Sequence, residues 1–345
     1  MLNYINKIKS FNIDEWILFL FPIAILFKSL TLNFYMIFCG LYFLKKIIKN
    51  EYKIKFFDNS WIIFIILFFL YSIVISFNSI DQSSSLVRSF SIIKFLLFSL
   101  FIFSINLRHS NLEILIELIS FVLVLVCIDT FIQFFIGKDL LGYEIFLMGR
   151  LSGPFGNELI VGAYLTYISI PIISYFLQNL KRKDKFKKIY YLLFIILIYL
   201  TVLVSGERMN FIILTISYAF IIFNKLNFKK VILFFTSFLL IFSITLFFNE
   251  QLKSKYSNFY EDISDFKNSN HGKLLFSAIE IWDKNRFIGV GLKNYRKACN
   301  NDKINNITNQ KNLCSTHPHN LYFEILVETG IIGLAIFLIF IFLVF

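Results

Sequence analysis

The chain has 345 residues, 57% of them hydrophobic, with 46 Phe and a formal net charge of +12; its mean hydropathy is +0.71. That composition excludes an ordinary soluble domain, because several apolar runs approach the roughly 20 residues needed to span a bilayer. In a soluble protein the charge would point to nucleic acid, but the basic residues here gather in short loops between apolar runs, so the expected partner is the lipid bilayer and no nucleic acid.

The reading is an all-α polytopic membrane protein of about ten transmembrane helices. After a polar start with Lys7 and Lys9, which does not read as a cleavable signal peptide, spans are expected near 16–30, 31–44, 60–77, 87–106 and 112–136. Arg88 and Lys94 lie in the fourth and Asp129 in the fifth. A Gly-rich polar segment, 137–157, follows and contains Arg150-Leu-Ser-Gly-Pro-Phe-Gly-Asn157. Further spans are expected near 158–178, 189–204, 209–223 and 231–248, with the short turn Ser205-Gly-Glu-Arg208 between two of them. A long polar segment, 249–319, precedes the tenth span near 320–345.

Lys and Arg number 5, 1, 6 and 3 in the loops 45–59, 107–111, 179–188 and 224–230, against 0, 2 and 1 in 78–86, 137–157 and 205–208. The positive-inside rule therefore puts the N-terminus in the cytoplasm and the long segment outside. Within that segment Leu274, Leu275, Ala278, Ile279 and Trp282 recur at helical spacing, which predicts an amphipathic helix on the membrane surface or capping the bundle. Gly289-Val-Gly291 ends it as a turn, without the strand a nucleotide loop needs. Asn306-Ile-Thr308 fits a glycosylation sequon and is taken as chance. Cys39 and Cys127 fall in apolar runs and read as core. Cys299 and Cys314 could pair if the segment meets an oxidising compartment; two free thiols are the alternative. No internal repeat of the transporter kind is visible.

The residues with chemistry cluster at the end of that segment, in Cys314-Ser-Thr-His-Pro-His-Asn320. Pro318 suits the first position of a helix, so His317 reads as the cap, with His319 and Asn320 in the first turn, where free N–H groups favour an anion. Asn320, Glu324 and Glu328 share a face at spacing four. The bland alternative is a polar loop returning to the membrane. A zinc pair on a helix prefers a spacing of three or four, and no Cys or carboxylate completes a set, so neither metal nor cofactor is expected. Arg208 is either an interfacial anchor or, facing into the bundle, a guanidinium fork for phosphate; Arg150 is a second such fork or an arginine at the headgroups, as amphipathic loops often carry. A histidine can serve as general base near neutral pH. External Arg and His on a many-span protein suggest group transfer from a lipid-linked phosphate donor.

These residues resemble the O-antigen ligase and O-antigen polymerase superfamily of bacterial envelopes, over roughly residues 145–345. Arg150 to Asn157 is similar to its Arg-x-x-Gly-x-x-x-Asn segment and Ser205 to Arg208 to its Ser-Arg helix start. Trp282 to Gly291 resembles its surface helix and Gly-x-Gly turn. His319-Asn320, nine residues, then Gly330 and Gly333 resembles its most specific signature. The resemblance implies a single transmembrane domain over 1–345 in the inner membrane, with a periplasmic loop at 249–319 holding the active site. It implies metal-independent, inverting transfer of a glycan from undecaprenyl diphosphate to an acceptor hydroxyl: lipid A–core for a ligase, a second lipid-linked glycan for a polymerase. His319 then corresponds to the essential histidine and Arg208 to a diphosphate ligand, helped by Arg150 or Arg286. Asn320 and Glu324 would position the histidine or a sugar.

Three departures accompany it. His271 and Lys273 stand where relatives often carry an arginine ahead of the surface helix. Leu334-Ala335 replaces a Thr-Thr of ligases, which weakens ligase against polymerase, although ligase remains the preferred reading. Relatives continue with about two more helices, which leaves open that the sequence is a fragment. A flippase or permease, the reading from another class, would use ionisable residues deep in the spans, such as Lys94 and Asp129.

Overall fold

Asn12 and Glu15 start the first helix by a reciprocal exchange: each side chain accepts the other's backbone N–H, both at 2.8 Å. The computed structural model describes residues 8–52, 60–105, 107–145, 147, 149–179, 183–223, 236, 238–240, 242–247, 249–300 and 314–344. Among them are helices and two isolated bridges, with no strand. In chain order the helices are α1 (Ile13–Leu26), α2 (Lys28–Ile48), α3 (Ser60–Ser76), α4 (Gln82–Phe90), α5 (Ile92–Ser104), α6 (His109–Ile136) and α7 (Val161–Asn179). They continue as α8 (Lys185–Val204), α9 (Arg208–Phe223), α10 (Glu250–Ser264), α11 (Asn270–Lys284), α12 (Tyr295–Cys299) and α13 (Leu321–Val344).

Six stretches among the described residues are long and apolar enough to cross a bilayer: Ser29–Ile48, Gln82–Ser104, Asn111–Ile136, Val161–Asn179, Lys185–Val204 and Leu321–Val344. Ser60–Ser76 and Arg208–Phe223 are apolar but shorter. The chain is thus a multi-pass membrane protein. The expected ninth span lies partly, and the sequon wholly, outside the described residues. The fourth span is two helices meeting at Ser91, whose hydroxyl donates to the Arg88 carbonyl at 2.6 Å. Such back-bonding by serine bends helices. The long polar segment holds α10, α11 and α12, where one helix was expected.

The chain divides into two compact units, each built around its own packing. The first comprises Met1–Tyr35 and Asn106–Phe259. In it α7 packs on α8 and α9, and α6 on α8. Lipid is as apolar as leucine, so contact quality rather than water exclusion must hold such helices together. Phe176 and Tyr191 stack at 3.8 Å with Phe194 edge-on, and Leu165, Ile198 and Leu214 are fully buried around them.

The second unit comprises Met36–Ile105 and Tyr260–Phe345. In it α13 runs along α3, and α11 and α12 pack on α13. A buried serine ladder joins α3 to α4: the Ser76 hydroxyl lies 2.8 Å from that of Ser85 and 3.0 Å from that of Ser89. Ala278 and Ile281 bury the apolar face of α11 against Tyr295, Ala298 and Val327. The amphipathic helix therefore caps a helix bundle, with Ile281 rather than Ile279 as its buried isoleucine.

Candidate active site

In the first unit α6 ends at Gly137, whose φ of 87° suits glycine. Gln133, fully buried one turn earlier, then organises the Gly-rich segment. Its Oε1 accepts the N–H groups of Ser152 (3.0 Å) and Gly153 (2.9 Å), and its Nε2 donates to the Tyr143 carbonyl at 3.2 Å. Asp129 accepts the Leu140 N–H at 2.8 Å. Ser205-Gly-Glu-Arg208 docks on this segment. The Leu151 N–H donates to the Ser205 carbonyl at 3.1 Å. A Cβ on Gly206, at φ +72°, would lie 2.0 Å from the Gly149 carbonyl oxygen, so no other residue fits there.

Glu207 turns inward and is 6% exposed. It accepts the N–H groups of Gly162 (2.6 Å) and Ala163 (3.2 Å) and the Asn210 amide (2.7 Å), capping α7 from another element. Burial pushes its carboxyl above the usual carboxylate range, opposed by the Gly162 bond and by the positive charge of Arg150. Arg208 opens α9 half-buried. Tyr256 of α10 lies within its electrostatic reach, beside Phe211 and Phe242. The guanidinium of Arg150 donates to the Leu159 carbonyl at 3.2 Å.

In the second unit the glycine signature is a backbone joint. α13 breaks at Gly330, φ 68° and ψ −173°. The Gly289-Val-Gly291 turn lies on the break: Val290 N–H bonds the Val327 carbonyl at 3.0 Å, Gly291 that of Glu328 at 2.9 Å, and Ile331 N–H that of Arg286 at 2.9 Å. The Tyr71 hydroxyl donates to the Thr329 carbonyl at 2.8 Å. Glu328, buried beside the break, accepts the Tyr295 N–H at 3.3 Å and so caps α12. The fully buried Asn294 accepts the Asp81 N–H at 2.8 Å, and Lys297 pairs with Asp81. Cys299 and Cys314 are joined as a disulfide with Cα atoms 5.6 Å apart, while Cys39 and Cys127 are buried thiols.

Above this joint three imidazoles converge. The rings of His317 and His319 have centroids 4.2 Å apart, and His271, in the first turn of α11, lies 6.1 Å from His319. Ser269 caps α11 by accepting the Gly272 N–H at 3.1 Å. His319 is exposed, and its Nε2 lies 3.5 Å from the Ser315 hydroxyl. Its pKa is lowered from 6.5, first by partial desolvation and then by His317 and His271. The shift favours the neutral imidazole, the form able to take a proton.

The expected cap is corrected. His317 does not cap α13; Asn320 does, its Oδ1 accepting the N–H groups of Tyr322 (3.0 Å) and Phe323 (3.3 Å). His319 has φ 55°, so the chain leaves the helical region before Asn320, and His319 lies outside the first turn. A short amide reaches back to the helix N–H groups better than a ring does. His317 instead meets the Thr316 hydroxyl through Nδ1 at 2.9 Å.

The structure joins the Arg150 segment to the Arg208 turn in one unit, and His317 and His319 to Asn320 and Glu324 in the other; the Glu324 N–H bonds the Asn320 carbonyl at 2.9 Å. Arg286 is not brought to the histidines. It pairs with Asp283 past the C-terminal end of α11, while His271 is in the first turn, some 20 Å away at 1.5 Å per residue. Sequence reasoning named His271 only as a stand-in for a missing arginine. Ser269 before it, a good cap residue, was the signal that it opens a helix.

The family model described as O-antigen ligase matches residues 192–338. Over these residues the chain is similar to the O-antigen ligase family. The match runs from within α8 through most of α13 and includes Arg208, His271 and His319; Arg150 precedes it. Members of the family are glycosyltransferase-like enzymes of lipopolysaccharide biosynthesis. No curated protein matches the chain.

Proposed function

We propose that this O-antigen ligase-family protein transfers a glycan from undecaprenyl diphosphate to an acceptor hydroxyl at the outer face of the inner membrane. The observation that carries the proposal is the His271–His317–His319 cluster above the Gly330 joint, with His319 exposed and biased toward its neutral form. An imidazole nitrogen of His319 takes the proton from the acceptor hydroxyl. The hydroxyl oxygen bonds to the anomeric carbon as the bond from that carbon to the diphosphate oxygen breaks. Undecaprenyl diphosphate leaves already charged, so neither acid help nor a metal is assigned. Arg208, with Arg150, is assigned to the diphosphate, and Asn320 and Glu324 to holding the histidine segment.

The Cys299–Cys314 disulfide supports an external setting for 249–319, since such bonds persist in oxidising compartments. An external 249–319 agrees with the proposed ten spans and cytoplasmic N-terminus. Ligase, with lipid A–core as acceptor, is preferred to polymerase. The flippase reading loses support, because Asp129 anchors the Leu140 N–H and so has a structural role.

His319→Ala is the test, in cells lacking the native gene. Expression should hold, and transfer should fall by about 10²–10⁴-fold, the usual worth of a general base. Polymer left on the lipid carrier would mark a ligase, and single repeats on the core a polymerase. Full transfer by His319→Ala would sink the mechanism.

A further inference from the structure

The histidine segment of the second unit is held at both ends. At the inner end Asn320 caps α13, its Oδ1 accepting the N–H groups of Tyr322 and Phe323. At the outer end Cys314 is bonded to Cys299, the last residue of α12, which is fully buried. Cys299 packs with Ala278 and Ile281 of α11 and Val327 of α13, and Cys314 lies against the same cluster. The disulfide thus ties the segment to α11, which carries His271, and to α13. Between the two ends lie five residues, Ser315 to His319.

Two features let this short span transmit a pull. Pro318 is buried; it fixes its own φ and disfavours the helical region for His317, so few torsions remain to absorb movement. His319 has φ 55°, an uncommon conformation for a residue with a Cβ and one kept where the surroundings impose it. Asn320 fixes one side of that torsion and the disulfide the other. The torsion also decides what meets the ring: His317 at a centroid distance of 4.2 Å, and the Ser315 hydroxyl 3.5 Å from Nε2. Opened at Cys314, His319 is free to leave the left-handed region, and Ser315 and His317 then swing away from its ring.

We infer that the Cys299–Cys314 disulfide is a positioning element of the active site, holding His319 in register with His317 and His271, and that glycan transfer is fast only once the bond has formed. The inference rests on His319 as the base assigned above. The bond needs a supply. Two electrons and two protons leave the cysteine thiols as their sulfurs join, and an acceptor disulfide takes them up and becomes a dithiol. That oxidation precedes glycan transfer, so a reduced chain is slow even where it is folded.

The test uses the full chain in lipid nanodiscs, reduced with dithiothreitol and then returned with oxidised glutathione, below the temperature at which the reduced form unfolds. Misplacing a reacting group by about 1 Å can cost 10²-fold, so reduction should lower kcat at least about tenfold. KM for the lipid-linked donor should not change, since the donor is held elsewhere. Oxidised glutathione should restore kcat. Cys299→Ser should turn over at the reduced rate and ignore dithiothreitol. The acid limb of the pH profile should move up toward 6.5 on reduction, as His319 loses the neighbours that hold it down. Hydrogen exchange should quicken at residues 315–319 and hold steady at 323–329, which the glycine joint secures. An unchanged kcat and acid limb, or exchange that quickens throughout α11 and α13, would make the bond a staple for stability and overturn the inference. Transfer that needs His319 but ignores dithiothreitol removes only the positioning role. Transfer by His319→Ala at the wild-type rate removes the mechanism beneath it.

Discussion

Gly330→Ala should be among the most damaging single-methyl additions in this protein. The alanine Cβ would sit 2.1 Å from the Phe287 carbonyl oxygen and 2.5 Å from the Ile288 nitrogen, both backbone atoms. The φ of 68° alone costs an L-residue roughly 1–2 kcal/mol. To clear the collision the 287–291 turn must retreat from α13. That threatens the bonds Val290 to Val327, Gly291 to Glu328 and Ile331 to Arg286, each worth about 1 kcal/mol. With all three lost the total is roughly 4–5 kcal/mol. Gly137→Ala is the control: its φ is 87°, but nothing lies within 4 Å of the new methyl, so only the backbone term remains. Thermal unfolding of both variants in one detergent, followed by near-ultraviolet circular dichroism, measures the difference. If Gly330→Ala unfolds no earlier than Gly137→Ala, the backbone joint is not what the glycine is for.

Other expectations follow from the same structure. The acid limb of the pH profile of kcat/KM should have an apparent pKa below 6.5, because His319 is held down by desolvation and its two imidazole neighbours; His271→Asn removes one of these and should move the limb toward higher pH. An unmoved limb would separate His271 from His319. Arg208→Lys keeps the charge but loses the planar fork, so transfer should fall at least about tenfold at unchanged expression; wild-type turnover would make Arg208 a structural anchor. Cys314→Ser opens a bridge of sequence separation 15 and should cost about 3 kcal/mol in the second unit. Unfolding temperatures that do not respond to the substitution or to reductant would refute that figure.

Much of the helix layout was legible because apolar runs and basic loops are local signals. α3, α6, α7, α8 and α13 lie within a few residues of their expected positions. The break at Ser91 was not legible, since a serine between apolar residues says nothing until its hydroxyl is seen on the Arg88 carbonyl. Nor was Gln133, which looks like one polar residue in an apolar run but supplies three of the bonds that shape the Arg150 segment. Such a residue declares itself only through what it satisfies, and its partners here lie at least ten positions away.

The histidine signature shows the same limit from the other side. Its residues were recognised, but the spacing was read as one continuous helix with His317 at its start. Two non-helical points punctuate it instead, His319 at φ 55° and Gly330 at φ 68°. Between them Asn320 starts a short rigid segment, Leu321 to Thr329, whose far end is bonded to Tyr71 and to the glycine turn. On the proposed mechanism, a base that meets a mobile lipid-linked sugar needs a fixed mount. The break at Gly330 lets one backbone rest on another, and that contact is tighter than any side chain would permit. The conformation of His319 at the opposite end then aims the ring outside the helix, beside His271 and His317. The spacing of His319, Asn320, Gly330 and Gly333 is in this sense a mechanical specification: an imidazole at one end of a strut, and a glycine joint that clamps the other.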